Sequence, residues 1–173
     1  MKIYVASSWR NAHQPVVVDA LRAVGHEVYD FRNPGPGDYG FSWSAIAPGW
    51  ETWTTEEYIE GLRHPLAQRG FDKDLAAMSW ADAFVLVQPC GRSAHLELGW
   101  AVGAGKLSAI LLAEGQEPEL MVAMVDHLAT SLDDLIEWLR HPRGSALEEV
   151  CALDIPIEPP ERVDPRFWEE DGA

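Results

Sequence analysis

Glu97 is the leading candidate for a catalytic residue in this chain. It falls in the first turn of a predicted helix, within the segment AHLELGWA, where the helix dipole favours an ionised carboxylate by up to ~1 kcal/mol. An ionised carboxylate can attack an electrophilic carbon. The alternative is a solvated partner of the helix dipole, although Leu96, Leu98 and Trp100 around it are apolar. Spacing alone leaves both interpretations open.

Asp74 is the second candidate. It lies in the segment GFDKDLAAMSWAD, two residues after Asp72, which occupies a different face of the predicted helix. In retaining glycosidases one carboxyl group protonates the leaving group while a second attacks the sugar carbon. Asp74 could therefore steer or protonate a leaving base while Glu97 attacks. The alternative is an acidic cap near a helix N-terminus.

Two other kinds of chemistry are not favoured by the sequence. His95 and Glu97 imitate the H-x-E motif of zinc deaminases, but the required P-C-x-x-C motif is missing, since Cys90 precedes them and Cys151 stands alone. We therefore expect no metal site, and we assign no cofactor. Cys90 with His95 as its base is a possible nucleophile, but a loop cysteine of no special role is the favoured interpretation.

The elements that must position these residues alternate between strand and helix. Apolar runs predict strands over 2–6, 26–31, 83–87, 107–112 and 127–130. Helical spacing and capping residues predict helices over 15–24, from Thr54 or Thr55 to Arg63, and over 72–80, 93–104, 119–125 and 131–139. This alternation favours a parallel sheet covered on both faces. We predict an α/β fold, a flavodoxin-like three-layer sandwich with a five-stranded parallel sheet.

Three segments should meet where such a fold binds ligands, outside the carboxyl ends of the strands. They are the polar loop from Ser7 to Asn11, the long loop over 32–53 and the segment CGRSAHLELGWA. The long loop is rich in aromatic residues, including Trp43. Such rings can stack on a base or pack a subunit interface; both remain open, and Trp43 is our candidate for contact with the substrate.

Size and charge limit the partners of the protein. A chain of 173 residues suits one domain; we assign it to residues 1–140 and expect 141–173, which is Pro-rich and acidic, to form an irregular C-terminal tail. A net charge of -15 argues against a nucleic acid polymer as the partner. No apolar run is long enough for a signal peptide or a membrane helix, so we expect no membrane association and a cytoplasmic location.

Several segments together resemble the nucleoside 2-deoxyribosyltransferase family, whose superfamily includes the deoxynucleoside monophosphate N-glycosidases. The resemblance is carried by the first strand with SSWRN, by GFDKDLAAMSWAD and by AHLELGWAVGAGK, and it covers roughly residues 1–140 in order and spacing. It implies a flavodoxin-like subunit in which the Glu of a Glu-aliphatic-Gly motif attacks the anomeric carbon. Glu97, followed by Leu98 and Gly99, matches this nucleophile. Asp74 matches the family Asp that handles the base or sugar.

The resemblance also implies positions for the substrate. Relatives hold the sugar, and in one branch a phosphate, with residues in the first strand, in the loop that follows it and before the nucleophile. The matching positions are Tyr4, Ser7, Ser8, Arg10, Gly91, Arg92 and Ser93. The monophosphate hydrolases carry a serine where this chain has Gly91. Because relatives complete each site with residues of a neighbouring subunit, we expect a homo-oligomer.

These observations predict an enzyme that cleaves or exchanges the N-glycosidic bond of a (deoxy)nucleoside or nucleoside monophosphate through a glycosyl-enzyme intermediate. One alternative is a TIR-like NAD-cleaving glycohydrolase, in which the bond broken is again N-glycosidic. Another is a non-catalytic nucleotide-binding sensor module. The presence of both Asp74 and Glu97 argues against the sensor, since a protein without turnover would be expected to have lost one of them.

Overall fold

A computed structural model describes residues 1–142, and it confirms the predicted sheet. Five parallel strands lie in the order β2-β1-β3-β4-β5, which is the flavodoxin-like order. The strands are β1 (Lys2–Ala6), β2 (Glu27–Asp30), β3 (Ala83–Val87), β4 (Leu107–Leu111) and β5 (His127–Ala129). Of the segment 141–173, which we expected to be irregular, residues 143–173 lie outside the described residues.

Within residues 1–142, five α-helices connect and cover the strands. They are α1 (Gln14–Ala23), α2 (Thr55–Arg63), α3 (Pro65–Trp80), α4 (Arg92–Gly103) and α5 (Leu132–Arg140). Their ends follow sequence signals: the Thr54 side chain accepts a hydrogen bond from the backbone N–H of Glu57 in a capping box. Gly25, at φ 94°, follows α1 in the left-handed conformation. No helix of the described residues is long and apolar enough to cross a membrane.

The two faces of the sheet carry separate apolar cores, which gives the three layers. On one face α1 and α5 pack on Ile3, Val5 and Val85. On the other face α3 and α4 pack on Tyr4 and Phe84 among others. All five residues of β3 are buried, as a continuous apolar run predicts for a central strand covered on both sides.

The structure corrects two predicted helices, one in its start and the other in its type. The helix predicted over 72–80 is the second half of α3, which begins at Pro65, since a proline fits the first turn and the His64 ring accepts a hydrogen bond from the N–H of Leu66. The helix predicted over 119–125 is instead a short 3₁₀ helix, Leu120–Met124. The long loop contains two further 3₁₀ helices, Trp43–Ala45 and Trp50–Thr52.

Candidate active site

A row of aromatic rings crosses three strands and forms the floor of the candidate site. Tyr4 of β1 is paired in register with Tyr29 of β2 and with Phe84 of β3. Its ring stacks on both neighbours, with centroids 5.3 Å from Tyr29 and 5.0 Å from Phe84. Such cross-strand aromatic contacts stabilise a sheet and fix the orientation of each ring. The row lies on the face covered by α3 and α4.

Glu97 projects from α4 to this floor, where it interacts with the Tyr4 hydroxyl. The expectation that Glu97 lies in the first helical turn is wrong: α4 begins at Arg92, so Glu97 is in the second turn and no acidic residue occupies the first. The helix dipole therefore does little for it. Burial, and then the nearby charge of Asp74, raise the pKa of Glu97 from 4.5 to about 7, while the contact with Tyr4 opposes that rise.

Asp74 reaches the same place from α3. The Tyr29 hydroxyl donates a hydrogen bond of 2.7 Å to Asp74 Oδ1. Burial raises the pKa of Asp74, and the hydrogen bond from Tyr29 partly offsets this. The structure thus brings together the two carboxyl groups singled out in the sequence. Both carboxyl groups therefore resist ionisation in this setting, and the charge of Asp74 adds to the effect of burial on Glu97.

The loop after β1 is fastened to the end of β3 by side-chain hydrogen bonds. The Ser7 hydroxyl donates to the carbonyl of Val87 at 2.8 Å. The buried Asn11 amide donates to the same carbonyl, to that of Pro89 and to Ser7 Oγ, each at 3.1 Å. Ser8 Oγ accepts from the backbone N–H of Arg10. Both hydrogen bonds of the Ser7 hydroxyl therefore hold the loop in place against the segment between β3 and α4.

Gly91, Arg92 and Ser93 form the N-terminus of α4, and Arg10 lies in the loop after β1. Gly91 is the N-cap, and no side chain caps the first backbone N–H groups of the helix. The side chains of Arg10, Arg92 and Ser93 are exposed. Free N–H groups at a helix N-terminus, with arginines nearby, are compatible with an anionic group of a ligand.

Trp43 belongs to an aromatic cluster formed by the long loop. Its ring makes edge contacts with Phe41, Trp53 and Tyr58, at centroid distances of 4.9, 5.6 and 5.9 Å. The cluster fits closely on α2, because a Cβ at Gly61 would stand 2.4 Å from the Trp53 ring. Trp43 thus packs within the protein, and Phe41 is the member of this cluster that lines the cleft beside Asp74.

That cleft has a volume of about 200 Å³ and lies between the long loop and α3. Aromatic walls come from Tyr29, Phe31 and Phe41, and its charged lining residues are Asp38, Arg69, Lys73 and Asp74. Lys73 forms an ion pair with Asp38 and so ties the loop to α3. A flat heterocyclic ring fits such a space, since its faces can contact the aromatic side chains.

Sequence reasoning missed several residues of the site. Tyr29 was not singled out because its role depends on the pairing of β2 with β1, which spacing does not reveal. Arg32 was also missed; its guanidinium donates to the carbonyls of Ser8 and Asn11 at 2.7 and 2.8 Å and so joins the loops after β1 and β2. A basic residue directly after a predicted strand was the available signal.

Two observations within residues 1–142 concern the cysteine and metal chemistry considered in the sequence analysis. Burial, together with Glu119 and Glu97, raises the pKa of Cys90 to about 11, so its thiol is poorly suited to act as a nucleophile. The described residues contain no group of three or more His, Cys, Asp or Glu side chains arranged to hold a metal ion.

Comparison with known proteins gives structural similarities only. No family model matches the chain, and no curated protein does. Among solved structures, it is similar to the 2-deoxyribosyltransferase of Bacillus psychrosaccharolyticus, with 24% identity, a TM-score of 0.46 and coverage of 78% of this chain and 90% of that one. It is also similar to the CMP N-glycosidase BcmB of Clostridium botulinum, with 16% identity, a TM-score of 0.44 and coverage of 81% and 99% respectively.

Proposed function

We propose that this protein cleaves or exchanges the N-glycosidic bond of a nucleoside or nucleoside monophosphate. One observation carries the proposal: Glu97 and Asp74 converge from two helices on the hydroxyls of Tyr4 and Tyr29, next to a cleft with aromatic walls. Displacement at a sugar carbon needs a nucleophile, a proton donor and space for a heterocyclic leaving group. This part of the molecule supplies all three.

In the first step a carboxylate oxygen of Glu97 bonds to C1′ of the sugar. The C1′–N bond breaks, its electron pair leaves with the base, and Asp74 can give that base a proton. In the second step water or a second base attacks C1′ and releases the Glu97 carboxylate; with water, the ionised Asp74 accepts the proton. Two displacements retain the configuration at C1′.

The two tyrosines act on the carboxyl groups. The contact of Tyr4 with Glu97 favours the ionised form of that group, which is the form that attacks. The hydrogen bond from Tyr29 holds Asp74 at the edge of the cleft. The raised pKa values follow from burial, and desolvated carboxyl groups of this kind are typical of acid–base chemistry near neutral pH.

We assign the sugar and its 5′ end to the residues around Tyr4, to the loop after β1 and to the start of α4. We place the sugar against Tyr4 and its 5′ end toward Ser8 and Arg10, with any 5′-phosphate at the start of α4. Gly91, Arg92 and Ser93 would contribute backbone N–H groups or side chains there. Trp43 supports the cleft indirectly through Phe41.

We further propose a homo-oligomer, supported by Leu96 and Leu120, which are 76% and 86% exposed.

The test is incubation of the full chain with a pool of nucleosides, nucleoside monophosphates and NAD, with and without a free acceptor base. We expect release of a base from a nucleoside or monophosphate, and a new nucleoside if the acceptor competes with water. Without acceptor, intact-protein mass spectrometry should detect a sugar adduct. Release of nicotinamide from NAD alone would instead favour the NAD-cleaving alternative.

Glu97→Gln should abolish both the adduct and turnover. Glu137→Gln is the matched control, because Glu137 is an exposed residue of α5, on the opposite face of the sheet, and pairs only with Arg140 among the described residues. The control should behave as the parent protein does. Turnover by Glu97→Gln near the parent rate would overturn the proposed mechanism.

A further inference from the structure

One face of α3 lines the cleft beside Asp74. Its lining residues are Leu66, Arg69, Gly70, Lys73 and Asp74, a spacing of three and four residues that places them on the same side of the helix. Gly70 lets the aromatic wall approach, since a Cβ there would stand 2.9 Å from Phe41. Arg69 and Asp74 are therefore lining groups of one cleft, just over one helical turn apart.

The two cations of this face differ in their partners. Lys73 is engaged by Asp38 of the long loop. Arg69 has no ion pair or hydrogen-bond partner within residues 1–142, although its side chain lines the cleft. A guanidinium carries five N–H donors and stays charged at any working pH. Arg69 thus adds a positive charge to a cleft whose other charged lining residues are the Asp38–Lys73 ion pair and Asp74.

The position of the cleft identifies which part of the substrate enters it. Asp74, the proposed proton donor, lines the cleft, and Glu97, the proposed nucleophile, does not. In a displacement at C1′ the leaving group departs on the side opposite the attacking carboxylate. If the sugar lies between the two carboxyl groups, the group on the Asp74 side is the base.

We infer that Arg69 donates hydrogen bonds to a carbonyl oxygen of the departing base, and so makes the enzyme prefer bases that carry such an oxygen. This inference rests on the proposed function and names its substrate class. As the C1′–N bond breaks, its electron pair moves onto the base and is delocalised to the carbonyl oxygen of uracil, thymine, cytosine or hypoxanthine. Adenine has no such oxygen. Arg69 is an exposed residue that lines the cleft, and a cation placed where negative charge develops lowers the barrier.

The kinetic test compares Arg69→Ala with the parent protein on 2′-deoxyuridine, 2′-deoxyinosine and 2′-deoxyadenosine. Loss of a hydrogen bond to a charged group corresponds to about a 10-fold or greater fall in kcat/KM. We expect that fall for the two substrates with a carbonyl oxygen and a change of less than about 2-fold for 2′-deoxyadenosine. Arg69→Lys, which keeps the charge, should recover part of the rate.

A second kinetic measurement separates this role from a structural one. The 5-fluoro derivative of 2′-deoxyuridine has a better leaving group, so it should depend less on Arg69, and Arg69→Ala should slow it less than it slows 2′-deoxyuridine. Arg63→Ala is the matched control: Arg63 lies on α2, pairs with Glu60 and does not line the cleft. Arg63→Ala should leave the kcat/KM of every one of these substrates at the parent value.

Direct binding of the free bases makes the inference independent of turnover. Titration followed by tryptophan fluorescence should show uracil and hypoxanthine binding more tightly than adenine to the parent protein, with the preference lost in Arg69→Ala and kept in Arg63→Ala. Selective binding without turnover of any nucleoside would refute the proposed function and leave the cleft assignment standing. The inference would be overturned if Arg69→Ala lowered kcat/KM equally for all three nucleosides, or if the parent protein bound the three free bases equally tightly.

Discussion

At the scale of single residues, the main feature is a carboxyl group that folding makes harder to ionise. The pKa of Glu97 rises from 4.5 to about 7 because the side chain loses water and faces Asp74. By linkage, the folded protein binds more protons than the unfolded chain between these values. The free energy of unfolding contributed by Glu97 is therefore fully present below pH 4.5 and is lost as the pH rises to about 7.

Glu97→Gln should remove this dependence. At pH 8 the neutral side chain is expected to raise the free energy of unfolding by up to about 3 kcal/mol, the free-energy equivalent of the pKa change, while at pH 4 the variant and the parent should be equally stable. Urea unfolding at both pH values measures the difference. Glu137→Gln is again the control, and a Glu97→Gln variant less stable than the parent at pH 8 would contradict the assigned cause.

Asp74→Asn should change the pH profile of the reaction as well as its rate. In the parent protein kcat/KM should rise with pH as Glu97 ionises near pH 7, because the ionised carboxylate is the attacking form. Asparagine carries no charge, so the pKa of Glu97 falls and the rise of the slower reaction moves to lower pH. Profiles of kcat/KM against pH for both proteins test this; an unchanged midpoint in the variant would rule out the charge of Asp74 as a cause of the raised pKa.

At the scale of elements, the long loop is ordered by aromatic packing on α2 and α3. Gly61 is buried under Trp53, and Gly70 lies under Phe41. This explains why a segment without helical or strand periodicity still forms one wall of the cleft. The packing residues were visible in the sequence as tryptophans, but which glycines receive them depends on the position of α2 and α3 in space.

Gly61→Ala tests that wall. The added Cβ meets the Trp53 ring at 2.4 Å, and overpacking of this kind costs about 1–3 kcal/mol, more than the helix propensity gained from alanine, at most about 1 kcal/mol. We expect a lower melting temperature and slower turnover. Gly103→Ala in α4, where a Cβ meets nothing within 4 Å, should instead keep or raise the melting temperature. Calorimetry of the two variants measures both melting temperatures. An equal rise in both would show that the Trp53 ring moves away from the added Cβ without cost, and would contradict the prediction.

At the scale of the whole molecule, the fold could be predicted because its signals are local. The apolar runs at Lys2–Ala6 and Ala83–Val87 coincide with β1 and β3, and alternation with helices predicted the parallel sheet. The pairing of Asp74 with Glu97 followed from the same order of elements together with the family resemblance. What could not be predicted depends on register and packing: the contact of Tyr29 with Asp74, the packing of Trp43 against Phe41, Trp53 and Tyr58, and the position of Arg69 in the cleft.

The pairing of Tyr4 with Tyr29 has a consequence for how the site tolerates change. Their rings project from neighbouring strands that are joined in register by main-chain hydrogen bonds, so the spacing between the two tyrosines that contact Glu97 and Asp74 is set by the distance of about 4.8 Å between adjacent strands. Substitutions in the loops can reshape the cleft without altering that interval. The strand pairing therefore keeps the spacing of Tyr4 and Tyr29 constant, while the loops around the cleft can vary in sequence.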